Sequence, residues 1–98
     1  MSYRDALSQH LRITILRLLA EQSDYALNES ILRDLLKAFA FSPSRDELRT
    51  ELAWLAEQRL LTIETVQDLQ VARITKRGED VAHARATVPG VRRPGPDD

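Results

Sequence analysis

Residues 44–75, SRDELRTELAWLAEQRLLTIETVQDLQVARIT, change their hydrophobic period part-way along. Leu48, Leu52 and Leu55 recur at spacings of three and four, which places them on one buried face of a helix. Ser44 followed by Glu47 three residues later is typical of a capping box. We therefore expect a helix that begins sharply at Ser44 and ends near Gln58.

The residues after this helix alternate between apolar and polar, as in a strand. An even-length turn at Gln67 and Asp68 would join two strands and bring four apolar residues onto one face, namely Leu61, Ile63, Ala72 and Ile74. A helix followed closely by a hairpin is the second half of a winged helix-turn-helix. The predicted fold class is therefore mainly α with a small β-hairpin: a three-helix core, a two-stranded wing and a C-terminal helix.

The first half of the chain supplies the other two core helices. The first is predicted over residues 8–21, with Arg12 outside its apolar stripe. Residues 25–27 are expected to form a short edge strand, and Asn28 is expected to cap the second helix. A turn at 40–43 would follow. The apolar residues predicted to pack inward are Leu11, Ile15, Leu18 and Leu19 on the first helix, and Ile31, Leu32, Leu35, Leu36 and Phe39 on the second.

The chain after the hairpin divides into a helix and a tail. Thr75 is predicted to cap a last helix over residues 76–86, in which Gly78 allows close approach to neighbouring elements. From Thr87 onward the composition changes, because this stretch holds three of the four prolines and two of the three glycines. We therefore expect a winged-helix domain over residues 1–86 and a flexible Pro/Gly-rich tail over 87–98.

Composition restricts the possible function classes. A chain of 98 residues has room for one small core, and the absence of cysteine excludes disulfides and thiolate chemistry. The sequence has neither a signal-peptide pattern nor an apolar run long enough to span a bilayer, so we expect a cytoplasmic protein of the bacterial host that makes no membrane contact. The net charge of −1 argues mildly against strong nucleic-acid binding, which requires neutralisation of phosphates.

Two segments carry a resemblance to known proteins. The run ELAWLAEQRLL at 51–61 resembles the recognition-helix and strand junction of ArsR- and MarR-type winged-helix regulators, and ITKRG at 74–78 looks like their junction between wing and last helix. With ESILRDLL and TVPGVRRP, the chain is most similar to small winged-helix proteins of Mu-like bacteriophages and prophages. The resemblance implies a DNA-binding transcriptional regulator. It does not extend to metal sensing, because the ligand cysteines of ArsR-type sensors are absent.

If the third helix enters a major groove, its N-terminal half would contact bases and phosphates in duplex DNA. Between Ser44 and Leu60, however, three arginines face four acidic residues, so the alternative is an ordinary solvated face with internal ion pairs. Asp68 at the wing tip would also repel phosphates. The candidate DNA-binding residues are Ser44, Arg45, Arg49 and Thr50 on the helix, and Arg73, Lys76 and Arg77 in and after the wing.

Trp54 lies about 120° round the helix from the leucine stripe, so it is not an obvious core residue. It would either be partly buried within the domain or lie in a partner interface. His10 and His83 lack a third ligand for a metal, and we predict no metal, cofactor or catalytic residue. The alternative function is a protein-interaction module in phage assembly or host takeover. The short, alanine-rich last helix predicts a monomer or a weak homodimer.

Arg59 occupies the position after the third helix where a glycine is common, because the chain turns there at once into a strand. Such a position usually has a left-handed backbone. The sequence therefore predicts a positive φ at Arg59, with a strain of about 1 kcal/mol relative to glycine.

Overall fold

The computed structural model describes residues 2–95, which form a mixed α/β arrangement of four helices and a three-stranded antiparallel sheet. The sheet order is β1-β3-β2, so the predicted hairpin is joined on its β3 side by the short N-terminal strand. The edge strand predicted over residues 25–27 is thus observed one residue later in the chain, and it extends the two-stranded wing to a three-stranded sheet. This architecture is compatible with a small winged helix-turn-helix. In chain order the elements are α1 (Tyr3–Glu21), β1 (Ala26–Asn28), α2 (Glu29–Lys37), α3 (Arg45–Glu57), β2 (Leu61–Val66), β3 (Leu69–Ile74) and α4 (Lys76–Ala82).

The predicted caps of three helices are confirmed. Asn28, Ser44 and Thr75 precede α2, α3 and α4, and each side-chain oxygen accepts a hydrogen bond from a backbone N–H three residues later. The capping box of Ser44 and Glu47 is complete in both directions. These contacts satisfy amide groups that a helix start leaves without partners.

The predicted start of α1 was wrong, because the helix begins at Tyr3 and not at Ser8. Ser2 caps it, in a capping box with Asp5. The apolar pattern located only the buried part of the helix, which starts at Leu11. The two turns before Leu11 extend beyond that buried part.

Three helices end without glycine. After α2, α3 and α4 the chain places Ala40, Arg59 and Ala84 in the left-handed region, with φ of 64°, 62° and 61°. At each end the next residue donates to a carbonyl five positions back, and the left-handed residue donates to one three positions back, as in a Schellman motif. The positive φ predicted for Arg59 is confirmed. The turn at Ala84 also explains why α4 ends at Ala82 and not at the predicted Ala86.

The predicted hairpin register is confirmed. Leu61 pairs with Ile74 and Ile63 with Ala72, so these four residues share one face of the sheet. The connecting residues Gln67 and Asp68 have φ of 48° and 68°, the geometry of a two-residue type I′ turn.

The core lies between α1 and the elements wrapped around it. Most predicted inward residues are confirmed, including Ile15, Leu32 and all three leucines of α3, none of which is exposed. Ile31 and Phe39 were wrongly predicted to pack inward, since they are 48% and 54% exposed. Gly78 permits the close approach predicted for α4, because a Cβ there would lie 2.0 Å from the Leu60 carbonyl oxygen.

The segment after α4 remains in contact with the domain. Val88 and Val91 are buried in the same cluster as the helices, and the Arg92 amide donates to the Gln9 carbonyl. Residues 87–95 therefore lie along α1, in contrast to the flexible tail predicted from their composition. The remainder of the predicted tail, residues 96–98, lies outside the described residues. Within the described chain, no helix combines the length and apolar character needed to cross a bilayer.

Candidate functional site

Glu29 is the first residue of α2, and its side chain is 1% exposed. A carboxylate loses its hydration when it is buried, so it requires charged or hydrogen-bonding partners. Two other elements provide them: α3 contributes two arginines, and β3 contributes the Gln70 amide, which donates to Oε2 over 2.6 Å. Glu29 thus connects the second helix, the third helix and the hairpin.

Arg49 donates to both oxygens of Glu29, over 2.8 and 2.7 Å, in a bidentate pair. The Arg45 Nε lies 3.4 Å from Glu29 Oε1. Both arginines also donate to the carbonyl oxygen of Asp68 at the hairpin tip, over 2.6 Å from Arg45 and 2.7 Å from Arg49. We call this set, Glu29, Arg45 and Arg49 with the backbone of Asp68 and Gln70, the arginine clamp.

The arginine clamp shifts the ionisation of its members. The hydrogen bonds from the Arg49 side chain are the largest cause that lowers the pKa of Glu29, from its ordinary 4.5 to about 2. Burial opposes this change, while the Gln70 amide and the charges of Arg49 and Arg45 add to it. The same pairing raises the pKa of Arg49. The clamp is therefore a permanently charged structural unit at neutral pH.

The clamp engages both arginines that were predicted to read DNA. The Arg49 side chain is 32% exposed and that of Arg45 is 49% exposed. Ser44 is engaged as the cap of α3, and the Thr50 hydroxyl donates to the Asp46 carbonyl one turn earlier. The four candidates on α3 do lie together at its N-terminal half, but each has a partner inside the domain.

The candidate residues around the wing also have internal partners. Arg73 donates to the Asp24 carbonyl, and Arg77 donates to the Gln58 carbonyl at the end of α3. Lys76 lies 3.5 Å from Asp80 one turn later on α4. These contacts connect each of the three side chains to a neighbouring element or turn of the domain.

The outward face of α3 is acidic. Its exposed stripe consists of Asp46, Thr50, Ala53 and Glu57, and the neighbouring Glu47 and Arg45 are exposed as well. A helix that presents this face to DNA would be repelled by phosphates.

Trp54 is partly buried against the core, as one of the two sequence alternatives proposed. The Arg12 guanidinium lies 3.9 Å from its ring centroid, in cation–π geometry. Arg12 also pairs with Glu51 at 2.8 Å and donates to the Gly90 carbonyl at 2.9 Å. These contacts place Trp54 beneath the C-terminal segment, which supports a packing role within the domain.

An open groove lies between the first turns of α3 and the start of α1. It has a volume of about 650 Å³. Tyr3, Leu7 and Leu11 of α1 line one wall, and Phe41 and Pro43 of the turn before α3 line the other. Tyr3 is 82% exposed and Leu7 is 45% exposed, which is unusual for large apolar side chains next to a core.

Metal binding has no support among residues 2–95, because they contain no group of three or more potential ligand side chains that could hold an ion. His10 and His83, for which the sequence offered no third ligand, are both exposed.

Comparison with known proteins gives a family but no structural template. The chain is 47% identical over 92 residues to protein gp26 of Escherichia phage Mu, an alignment that covers 94% of this chain and 95% of that protein. It belongs to the gp26 family of Mu-like phages. A Haemophilus influenzae protein is 46% identical over 78 residues, covering 79% of this chain and 76% of that protein, and both relatives are described as uncharacterized. No family model and no solved structure matches the chain.

In this member of the gp26 family, sequence reasoning missed Glu29 and Arg12. Glu29 follows the N-cap, where an acidic residue is ordinary because it complements the helix dipole, so nothing in its spacing indicated burial. Arg12 was predicted to lie outside the apolar stripe, yet its side chain is only 17% exposed. Both are charged residues whose partners are remote in sequence, and no local pattern identifies such pairs.

Proposed function

We propose that this member of the gp26 family is a small winged helix-turn-helix protein that acts by binding another protein in the cytoplasm of the phage's host. The observation that carries the proposal is the arginine clamp. A DNA-reading helix needs free guanidinium groups, and here Arg45 and Arg49 are engaged by Glu29 and the Asp68 carbonyl. In a chain of net charge −1, this leaves little to neutralise phosphates.

The exposed apolar side chains and the charge of the surface also support protein binding. Large apolar side chains are exposed at the start of α1 and in the turn after α2, where Tyr3 and Phe39 are 82% and 54% exposed. Exposed apolar surface rimmed by polar residues favours contact with proteins. The acidic stripe of α3 would repel nucleic acid but would not repel a neutral or basic protein surface.

The test combines DNA binding with partner identification. Random and phage-derived duplexes should show no tight binding between roughly 50 and 200 mM salt, the range in which phosphate contacts give a steep dependence. Pairwise co-expression with the other proteins of a Mu-like phage should yield a stoichiometric complex in size-exclusion chromatography. Tight, steeply salt-dependent DNA binding without any such complex would overturn the proposal.

The second candidate is duplex DNA binding by a transcriptional regulator, as the resemblance to ArsR- and MarR-type proteins implies. One observation favours it. The Arg45 side chain is half exposed, and its hydrogen bond to the Asp68 carbonyl connects α3 to the hairpin tip, so the two elements that would contact DNA are held in one orientation. In that case Arg45→Ala should weaken duplex binding by about 1 to 3 kcal/mol. A variant with unchanged affinity would remove this candidate.

A further inference from the structure

The two edge strands of the sheet differ in length and in protection. In the order β1-β3-β2, the outer strands β1 and β2 each have one side without a strand partner in the described structure. β1 has three residues, whereas β2 has six and pairs with β3 one to one, without a bulge. Proteins usually block further strand pairing with short edge strands, bulges, proline or lysine, and LTIETV in β2 has none of these. β2 is therefore an open edge.

The hydrogen bonds of β3 show which way the backbone of β2 points. The Ile74 N–H donates to the Tyr25 carbonyl over 3.0 Å, on the side of β3 away from β2. The Gln70 N–H likewise donates to Glu29, which directly follows β1. Both residues therefore form non-hydrogen-bonded pairs with β2.

The pairs along β2 and β3 alternate between non-hydrogen-bonded and hydrogen-bonded, as in any antiparallel ladder. Ile74 pairs with Leu61 and Gln70 pairs with Thr65, and Ile63 lies midway between these two residues of β2. The N–H and C=O groups of Leu61, Ile63 and Thr65 consequently point away from β3. No backbone hydrogen bond outside the ladder involves Ile63 or Thr65 in the described structure. These groups are free to receive another strand.

We propose that a second copy of this chain pairs its own β2 with this edge, antiparallel and centred on Ile63, so that the two sheets become continuous. Ile63 then lies opposite Ile63 of the second copy, and Leu61 lies opposite Thr65. Each of these pairs exchanges both of its backbone hydrogen bonds. The inference goes beyond the proposed function and does not rest on it.

The charges on the outer face of the sheet select this register. Thr62 and Glu64 are exposed there, and a centre at Ile63 places each Glu64 opposite Thr62 of the other copy. A centre at Glu64 would place two carboxylates opposite each other, which is destabilising. A centre at Thr62 would leave Thr65 beyond the paired strands. Because Thr62 pairs with Arg73, the proposed register also puts Glu64 of one copy in the same row as Arg73 of the other.

The inner face of the sheet adds an apolar contact. Ile63 is partly buried against the core, and its exposed part meets the same residue of the second copy. The contact of two single strands is small beside the roughly 1,200 Å² that a stable interface buries. The dimer is therefore weak and dissociates on dilution.

The experiment uses single cysteines, because the chain has none of its own. Thr62→Cys and Glu64→Cys each place a thiol at an exposed position of β2. Across the proposed contact these two positions form a non-hydrogen-bonded pair with Cα atoms about 4.5 Å apart, which suits a disulfide. In two copies of the same variant the thiols are diagonal, with Cα atoms about 7 to 8 Å apart, beyond the usual limit of a disulfide.

Mild oxidation of a concentrated, equal mixture of the two variants should give mixed disulfide dimers at least about tenfold faster than either variant alone, because pairing holds the thiols together. Mass spectrometry identifies the mixed species by its mass. The matched control is Ala53→Cys mixed with Glu57→Cys, two exposed positions on α3 that report random collision. This mixture should react no faster than its components.

Thr65→Pro tests the role of the backbone edge. Proline removes an N–H that faces away from β3, a position that edge strands tolerate, and circular dichroism checks that the fold is kept. In this background the mixture of cysteine variants should lose its advantage. Sedimentation of the cysteine-free wild-type chain should show a dimer at high concentration that Thr65→Pro abolishes.

Several results would overturn the inference. One is equal rates for the mixture and the single variants, and another is an advantage that survives Thr65→Pro. Faster oxidation of Glu64→Cys alone would assign the contact to the register centred on Glu64. If Thr65→Pro abolishes a complex with a phage protein while no mixed disulfide forms, the edge belongs to an extended strand of that protein and not to a second copy.

Discussion

The arginine clamp and the start of α1 differ in which side chains they bury: the clamp buries a charged one, and the start of α1 leaves apolar ones exposed. In the clamp, a charged carboxylate is buried and every strong partner is supplied from within the domain. At the start of α1, large apolar side chains remain in solvent although a core lies two turns away. We therefore expect the clamp to contribute to the stability of the fold and the exposed side chains Tyr3 and Leu7 at the start of α1 to contribute little to it. Each of the following predictions tests that division.

The largest effect is expected from Arg49→Ala. The variant leaves Glu29 buried with only the more distant Arg45 and one backbone amide, and an uncompensated buried charge costs about 3 to 5 kcal/mol. Urea denaturation should show this loss in the free energy of unfolding. Arg45→Ala is the matched control, with an expected loss of about 1 kcal/mol, because its side chain is half exposed. A loss of less than about 1 kcal/mol for Arg49→Ala would show that the clamp is not a major source of stability.

The free energy of unfolding should depend on pH through the ionisation of the Glu29 carboxylate. The folded-state pKa of Glu29 is about 2, below its ordinary 4.5, so the ionised form stabilises the folded protein. The contribution, about 3 kcal/mol, is complete above about pH 5 and is lost as the pH falls towards 2. Glu29→Gln should remove this component, so the difference between the two stability curves should narrow on acidification. Parallel curves over this range would contradict the assignment to Glu29.

A smaller effect of opposite sign is expected at Arg59, which belongs to neither region and has a φ of 62°. Arg59→Gly relieves left-handed strain, while the greater freedom of the unfolded glycine offsets part of the gain. Net stabilisation should be at most about 1 kcal/mol in thermal or urea unfolding. Ala53→Gly, in the middle of α3, is the control and should destabilise by about 1 kcal/mol. If Arg59→Gly unfolds more easily, the arginine side chain has a stabilising role in solution that outweighs the backbone strain.

The smallest effect is expected at the start of α1. Tyr3→Ser with Leu7→Ser should change the free energy of unfolding by only about 0.5 to 1 kcal/mol, because Tyr3 is 82% exposed and Leu7 is 45% exposed. Leu11→Ser, one turn further on the same face of α1, buries a hydroxyl in the core and should cost several times more. A large destabilisation by the Tyr3/Leu7 variant would mean that these side chains are part of the core, and the contrast with the clamp would disappear.

The sequence was sufficient for those parts of the fold that depend on local chemistry. Three helix caps, the hairpin register and the left-handed Arg59 follow from residue preferences within a few positions, and all are observed. The start of α1 was missed because an apolar pattern marks burial and not helix length. Hydrophobicity alone likewise could not show that Ile31 and Phe39 face solvent, since a helix can be apolar over a wider arc than its neighbours cover.

The candidate site was less accessible to sequence reasoning. Spacing placed Arg45 and Arg49 correctly on the N-terminal half of α3, and the acidic bias of that segment raised the alternative of internal ion pairs. The partner of both is Glu29, at least 16 positions earlier, and the Asp68 carbonyl comes at least 19 positions later. A contact of that kind depends on how helices and hairpin pack together. No motif within any one element specifies it.

The contact between α1 and the last described residues has a consequence for biosynthesis. The Gln9 carbonyl and the Arg12 side chain bind Arg92 and Gly90, about 80 residues later, and Val88 and Val91 complete the core over them. A ribosome adds roughly 5 to 20 residues per second, so α1 emerges several seconds before these partners are made. Helices form in about a microsecond, so α1 can fold long before these partners are made. The contacts of α1 with residues 88–92 can therefore form only after the other helices and the sheet have been synthesised.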